Sequence, residues 1–427
     1  MRADSSTAIH FLLASRQCEL NNLRYLLKNG ELVGKVSQLI HTLQCERGAS
    51  NLYLCSTGPR FADELARRVS ETDVAQGPVM DSLAQLEKST AALPQSSRLF
   101  SGVASVIYAL SVLSPLRRQI LERALPQPKM TAFFNDIIRH LLALVSEVTD
   151  TAAEPAVARA LIAMLSFMQG KEFAGQERAV GAAAFAAGLF DDDSRRRMAE
   201  LIDSQERCFE RFRDFADEAN AQRFSSQTTD SGFERLRRIA CTRTVAGSSP
   251  EEESLSWFTL ASRRLDGMKQ IEDGLERVLM EQCQGCIDAA ERACHDQQAD
   301  IETLMRRQGE QPPDYAVFVA GNDEVWLHGE GLRPRLGRSL LTLIRQQDRR
   351  LQSLDQELSA LRVTLDERKQ IERAKGLLMQ HRGLSEEEAY TTLRRLAMSQ
   401  NRKLIDIAAA VLTIAEVLPN HPEGRRG

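Results

Sequence analysis

The stretch Leu39-Ile-His-Thr-Leu-Gln-Cys-Glu-Arg-Gly-Ala-Ser-Asn-Leu-Tyr-Leu54 sets Leu39, Leu43, Arg47, Ser50 and Leu54 at intervals of three and four residues. Residues so spaced share one face of an α-helix, so the segment reads as an amphipathic helix with a guanidinium inside its apolar stripe. A second segment repeats the arrangement. Met164, Met168, Lys171, Gly175, Arg178, Ala182 and Phe185 fall on one face of a helix over about 160–187. Each arginine follows a glutamate and precedes a small residue, in Glu46-Arg47-Gly48 and Glu177-Arg178-Ala179. Adjacent residues point roughly 100° apart around a helix, so neither glutamate is its arginine's natural partner.

Working outward, helical periodicity extends over 8–28, 33–56, 60–75, 79–90, 99–123, 130–150, 154–188, 193–220, 231–241 and a long segment at 255–308. Gly77-Pro78 reads as a break between two of these helices. Past residue 308 an irregular linker carries Pro312-Pro313 and a short hairpin around Tyr315–Val319 and Val325–Leu327. From Ile344 a heptad is readable through Gln347, Leu351, Leu354, Leu358, Leu361 and Leu365. It fits either a short coiled coil weakened by Gln347 or one helix packing on its own protein. A three-helix unit then follows. Gly383 stops its first helix, Ser385 and Glu388 form a capping box on the second, and Asn401 caps the third. The fold class is therefore all-α: an N-terminal helical bundle (1–308), a linker (309–339), a coiled-coil-like helix (340–370) and a C-terminal three-helix bundle (371–427).

Composition narrows the function. A hydrophobic content of 43% excludes wholesale disorder, and a net charge of −4 confines any nucleic-acid surface to a local patch. Eight cysteines over 427 residues do not make a disulfide framework. Cys283, Cys286 and Cys294 lie on one side of a helix, but an axial rise of about 16 Å is too long for one tetrahedral ion. They read as small apolar cysteines, with a redox or metal sensor as the competing idea. No catalytic triad, zinc-protease or phosphate-loop pattern stands out, so no enzyme and no cofactor are expected. The N-terminus has no secretory pattern, and the apolar run Ala179–Phe190 is too short to span a bilayer. A cytoplasmic protein without a membrane partner is the expectation.

A buried arginine stays charged and needs acceptors. One reading supplies them from a carboxylate or helix C-terminus elsewhere in the bundle. The other has both guanidiniums converge on a small planar oxyanion, with Gly48, Ser50, Gly175 and Gly181 leaving room. Arg67 and Arg68 are secondary candidates. In the C-terminal unit the last helix exposes Ile405, Asp406, Ala409, Ala410, Thr413 and Glu416, a poor face for a DNA major groove. The cations Lys375, Arg382, Arg394, Arg395, Arg402 and Lys403 cluster at helix ends and turns, which suits irregular RNA.

Two resemblances sharpen this. Ile371-Glu-Arg-Ala-Lys-Gly-Leu-Leu-Met379, Leu384-Ser-Glu-Glu-Glu-Ala389, Leu393-Arg394 and Asn401-Arg-Lys-Leu404 with Ile407-Ala408 resemble the ANTAR family of RNA-binding antiterminator modules. That resemblance implies that Ala374, Lys375, Gly376, Arg382, Arg394, Arg402 and Lys403 lie at or near an RNA surface, with Ala374 and Gly376 alternatively serving packing. Gln44-Cys-Glu-Arg-Gly-Ala-Ser50, Lys171-Glu-Phe-Ala-Gly-Gln-Glu-Arg-Ala179 with Gly181, and Ser256-Trp-Phe258 resemble the NIT family of helical nitrate- and nitrite-sensing modules. It implies nitrate or nitrite bound by Arg47 and Arg178, with Gly48, Ser50 and Gly175 nearby. Together they imply a one-component nitrate-responsive antiterminator acting on leader-mRNA hairpins, with a homodimer through 340–370. An anion-responsive DNA-binding regulator and a non-catalytic scaffold are the alternatives.

Overall fold

The computed structural model describes residues 5–56, 61–88, 97–188, 190–226, 230–242, 250–306, 317–318, 324–325, 334–382, 384, 386–399 and 402–417. These form α1 (Ser5–Cys55), α2 (Ala62–Lys88), α3 (Ser97–Ser111), α4 (Leu113–Leu121), α5 (Gln127–Thr151), α6 (Pro155–Ala186) and α7 (Asp192–Phe215). They continue as α8 (Glu218–Ser226), α9 (Ser231–Cys241), α10 (Pro250–Arg306), α11 (Pro334–Arg382), α12 (Glu386–Ser399) and α13 (Leu404–Val417). A two-residue antiparallel ladder, β1 (Val317–Phe318) with β2 (Glu324–Val325), pairs Val317 with Val325 in the expected hairpin region. The chain is otherwise all-α among the described residues.

Two expected breaks are absent. Residues 8–28 and 33–56 are one helix, α1, which runs through Gly30. A Cβ at Gly30 would stand 3.4 Å from Met280 Sδ of α10, so here glycine provides close helix contact rather than a stop. Pro78 lies inside α2. The carbonyl it leaves without a helical donor belongs to Val74, whose side chain is strongly exposed, so this side of the helix is open to water. The capping residues Gly383, Ser385 and Asn401 lie outside the described residues.

The segment Ser97–Leu121 is 25 residues with mean hydropathy 1.8, long and apolar enough by composition to cross a membrane. The sequence reading missed it. Here it is two helices, α3 and α4, that bury Leu99, Val106, Leu110, Leu113, Leu116 and Ile120.

The chain divides into two compact units. The first comprises 1–168, 211–227 and 267–356. Its core includes Leu39, Ile40 and Leu43 of α1, Val79 of α2 and Phe134, Ile138 and Leu141 of α5, all buried. Each such side chain contributes about 1.5–3 kcal/mol on leaving water. Polar contacts join α1 to α10, with Ser37 Oγ donating to Glu272 Oε2 at 3.1 Å and Arg16 Nε to Gln297 Oε1 at 2.9 Å. The start of α11 belongs here too. Leu343 and Ile344 pack on Ile9, Leu12 and Ile301, and Arg350 Nη2 lies 2.8 Å from Glu19 Oε1. Gln347 is buried, and among the described residues neither of its side-chain polar atoms has a hydrogen-bond partner. The front of the heptad stripe thus packs on its own protein, while Leu351 is 43% exposed.

The second unit comprises 169–210, 228–266 and 357–427. One core joins Ala182, Phe185, Met198, Phe233, Leu236 and Trp257. Another joins Ala374 of α11, Leu393 and Ala397 of α12, and Ile407 and Ala408 of α13. A Cβ at Gly181 would meet the Trp257 ring at 2.3–2.7 Å. The room expected beside Gly181 is therefore filled by an indole, whose Nε1 donates to Arg178 O at 3.0 Å. Overpacking against a rigid ring is destabilising. Gly181→Ala should lower unfolding stability by about 1–3 kcal/mol, read as a reduced urea midpoint.

Candidate functional site

Glu46 and Glu177 organise the two arginine motifs. Glu46 of α1 is 0% exposed and is gripped by Arg117 of α4, with Nε to Oε1 at 2.7 Å and Nη2 to Oε2 at 2.9 Å. The third guanidinium nitrogen, Nη1, reaches Asp73 Oδ1 of α2 at 2.7 Å. Both carboxylates hold the Arg117 guanidinium above its ordinary pKa against the opposing effect of burial. With Glu46 fixed there, the next side chain turns about 100° further round α1. Arg47 is 1% exposed, and its Nη1 donates to Asn135 Oδ1 of α5. Ser50, one turn on, is fully buried, and its Oγ has no hydrogen-bond partner among the described residues. Gly48 is buried beside them.

The α6 motif is built on the same plan within the second unit. Glu177 is buried and accepts from Arg237 of α9, Nε to Oε1 at 2.7 Å and Nη2 to Oε2 at 3.1 Å. It also accepts from Gln205 Nε2 of α7 at 2.6 Å and Arg264 Nη1 of α10 at 3.4 Å. Burial pulls the Arg264 guanidinium below its ordinary pKa, opposed by the Glu177 carboxylate. Arg178 turns away from this cluster. It is buried, its Nη1 donates to Ser262 Oγ at 2.9 Å, and its guanidinium lies over the Phe258 ring at 5.0 Å. Gly175 is buried on the same helix.

Both motif arginines are thus buried and hydrogen-bonded to neutral oxygens of another helix, while both motif glutamates take the guanidiniums of distant helices. Arg47 and Arg178 belong to different compact units. Sequence reasoning missed Arg117, Asn135, Arg237 and Arg264. The last two sit among other charged residues of amphipathic helices, so the pattern does not single them out. The secondary candidates Arg67 and Arg68 are committed on α2 itself, both to Glu64 and Glu71 at 2.6–3.0 Å. These are partly exposed pairs one helical turn apart.

In the C-terminal unit Arg394, Arg402 and Lys403 are exposed. Ala374 is not at a surface: it is fully buried in the three-helix core, where a small side chain lets α11 approach its neighbours. Lys375 is also buried, 1% exposed, with Nζ 5.8 Å from the centroid of the Tyr390 ring. Ala374 thus takes the packing role that was its alternative, and Lys375 lies beneath the surface rather than on it. The surroundings of Gly376 and of the Arg382 side chain on α11 lie outside what the structure describes. Exposed Asp406, Ala409 and Thr413 on α13 agree with a helix unsuited to a DNA groove.

None of the eight cysteines is in a disulfide, and no group of three potential metal ligands occurs among the described residues. Burial pushes the Cys283 thiol up to about 12 and that of Cys286 to about 11.

Two outcomes follow. Truncation of one member of a desolvated ion pair leaves the other charge buried, so Arg117→Ala should cost about 3–5 kcal/mol, measured by urea unfolding. A thiol protonated at neutral pH is a poor nucleophile, so at pH 8 Cys283 should alkylate at least about 100-fold more slowly than exposed Cys18, as read by mass spectrometry of iodoacetamide-treated protein.

A family model described as nitrate and nitrite sensing matches residues 38–280, and the ANTAR domain model matches residues 359–412. The nitrate regulatory protein of Klebsiella oxytoca is 34% identical over 420 residues, covering 97% of this chain and 97% of its own. The solved structure of the NasR transcription antiterminator aligns with a TM-score of 0.59 at 33% identity, covering 96% of this chain and 99% of that one. The chain belongs to the nitrate- and nitrite-sensing family, in the form that carries an ANTAR domain.

Proposed function

We propose that Arg47 and Arg178 are the nitrate-binding residues of this nitrate-responsive transcription antiterminator, supported by Gly48, Ser50 and Gly175. The observation that carries the reading is the neighbourhood of Arg47. A guanidinium removed from water lies one helical turn from a buried hydroxyl, Ser50 Oγ, that has no partner among the described residues. A planar oxyanion satisfies both, because it accepts in-plane hydrogen bonds from a fork and a further one from a hydroxyl. The Glu46–Arg117 pair fixes the rotation of α1 on which this depends. Nitrite offers the same chemistry with one oxygen fewer.

The anion acts as a switch only by binding one packing of the helices better than another. Its charge offsets a buried positive charge, so it favours the packing in which the guanidinium is most enclosed. The output is the RNA-binding ANTAR unit, whose targets we take to be leader-mRNA hairpins in the cytoplasm. The heptad stripe on α11 supplies a route to a homodimer through 340–370. Ile344 and Gln347 at its front are engaged with the chain's own helices, so pairing there requires that contact to open. A buried amide without partners costs about 1–3 kcal/mol, which keeps the docked state close to release.

The test is binding of a two-hairpin leader RNA to the full chain, in nitrate and in chloride at matched ionic strength. The wild type should bind only in nitrate. Arg47→Lys keeps the charge and loses the fork, and should need at least about 10-fold more nitrate. Arg47→Ala and Arg178→Ala should lose the response. An Arg47→Ala protein that responds at wild-type nitrate concentrations would remove Arg47 from the site. Tighter binding to duplex DNA than to hairpin RNA would favour a DNA regulator instead.

A further inference from the structure

On α12, Ala389, Leu393 and Ala397 are buried toward the three-helix core, while Tyr390, Arg394 and Met398 recur every four residues on an exposed flank about 100° further round. Tyr390 is 41% exposed and Met398 75%. Beneath this stripe sits Lys375 of α11, which does not reach solvent and whose ammonium lies over the Tyr390 ring. A lysine so enclosed cannot be a mobile phosphate hook. Its position does orient a phenol ring, because an ammonium is attracted to the negative face of the π-system and holds the ring in one plane.

We propose that Tyr390 is a stacking platform for an unpaired RNA base, held in place by Lys375, with Arg394 one turn away taking an adjacent phosphate. The inference rests on the RNA-binding reading above. The chemistry it recognises is the flat face of a base splayed out of a hairpin loop. Such bases stack on aromatic side chains with little regard to sequence, whereas the bases of a duplex are not available to do so. A half-exposed ring fits this role. One face is backed by the protein's own cation, and the exposed remainder lies beside a guanidinium suited to the neighbouring backbone. Lys375 is then a positioning residue, which gives the cation a task that a surface contact does not.

The experiment titrates full-length protein in saturating nitrate with a synthetic two-hairpin RNA carrying 2-aminopurine in one loop, across a series of salt concentrations. Tyr390→Leu keeps an apolar side chain and removes the π-face, and should weaken binding about 10- to 100-fold. Its salt dependence should not change, and the 2-aminopurine quenching seen with the wild type should be lost. Tyr390→Phe should restore both affinity and quenching. Arg394→Gln should weaken binding and lower the salt slope by about one. Lys375→Met keeps the stem and should weaken binding a few-fold with the slope unchanged. A slope reduced by about one in Lys375→Met would make it a direct phosphate contact and overturn its positioning role. Wild-type affinity in Tyr390→Leu, alongside weakened Arg394→Gln, would overturn the platform and leave the RNA reading standing. Absence of RNA binding by the wild type in nitrate would overturn both.

Discussion

The fold depends on two carboxylates that water cannot reach. Glu46 and Glu177 are each enclosed in helix-packed interiors, where an uncompensated charge would be prohibitive. Each is made tolerable by a guanidinium from elsewhere in the sequence, Arg117 for Glu46 and Arg237 for Glu177. Both nitrogens of each fork are engaged, so the pair fixes an orientation as well as a distance. That fixes the rotation of α1 and α6 about their own axes. The side chain that follows is then directed without any contact of its own having to choose the direction. Reversing the order of glutamate and arginine would keep the charges and lose the geometry.

The helical class was readable because core positions repeat with the helix period, and Arg47 could be placed on a buried face by the same count. What the count cannot supply is the partner. Arg117 lies in a segment that reads as apolar and belongs, by pattern, to solvent. It becomes the clamp on Glu46 only because α4 passes α1, a fact of tertiary structure. Gly30 and Pro78 show the same limit from the other side. Both are local helix-breaking signals, and both are overridden, one by close packing against α10 and one by an open helix face. In the ANTAR unit the family pattern singles out Lys375, yet the motif does not say whether a residue faces the ligand or the core. Burial decides that, and burial depends on how α11 and α12 pack.

α11 shows how one apolar stripe admits two uses. Spacing alone left coiled-coil pairing and intramolecular packing equally open, since both want an apolar seam. At the front of the helix the intramolecular use prevails, with Leu343 and Ile344 against α1 and α10 and Arg350 paired with Glu19. Gln347 is the poor fit in that arrangement. A buried amide that finds no partner is tolerable where a contact must be broken as readily as it is made, and it is a liability in a permanent core.

The contacts that seat α1 on α10 join residues 235 to 281 positions apart, from Ser37–Glu272 to Arg16–Gln297. Ribosomes add about 5–20 residues per second, so the apolar side of the first helix waits roughly ten seconds to a minute for its cover to be made. During that interval α2 and α5 are already available to cover part of α1, while the flank that α10 takes stays open. The order in which the helices are encoded thus sets how long that flank of α1 stays uncovered during synthesis.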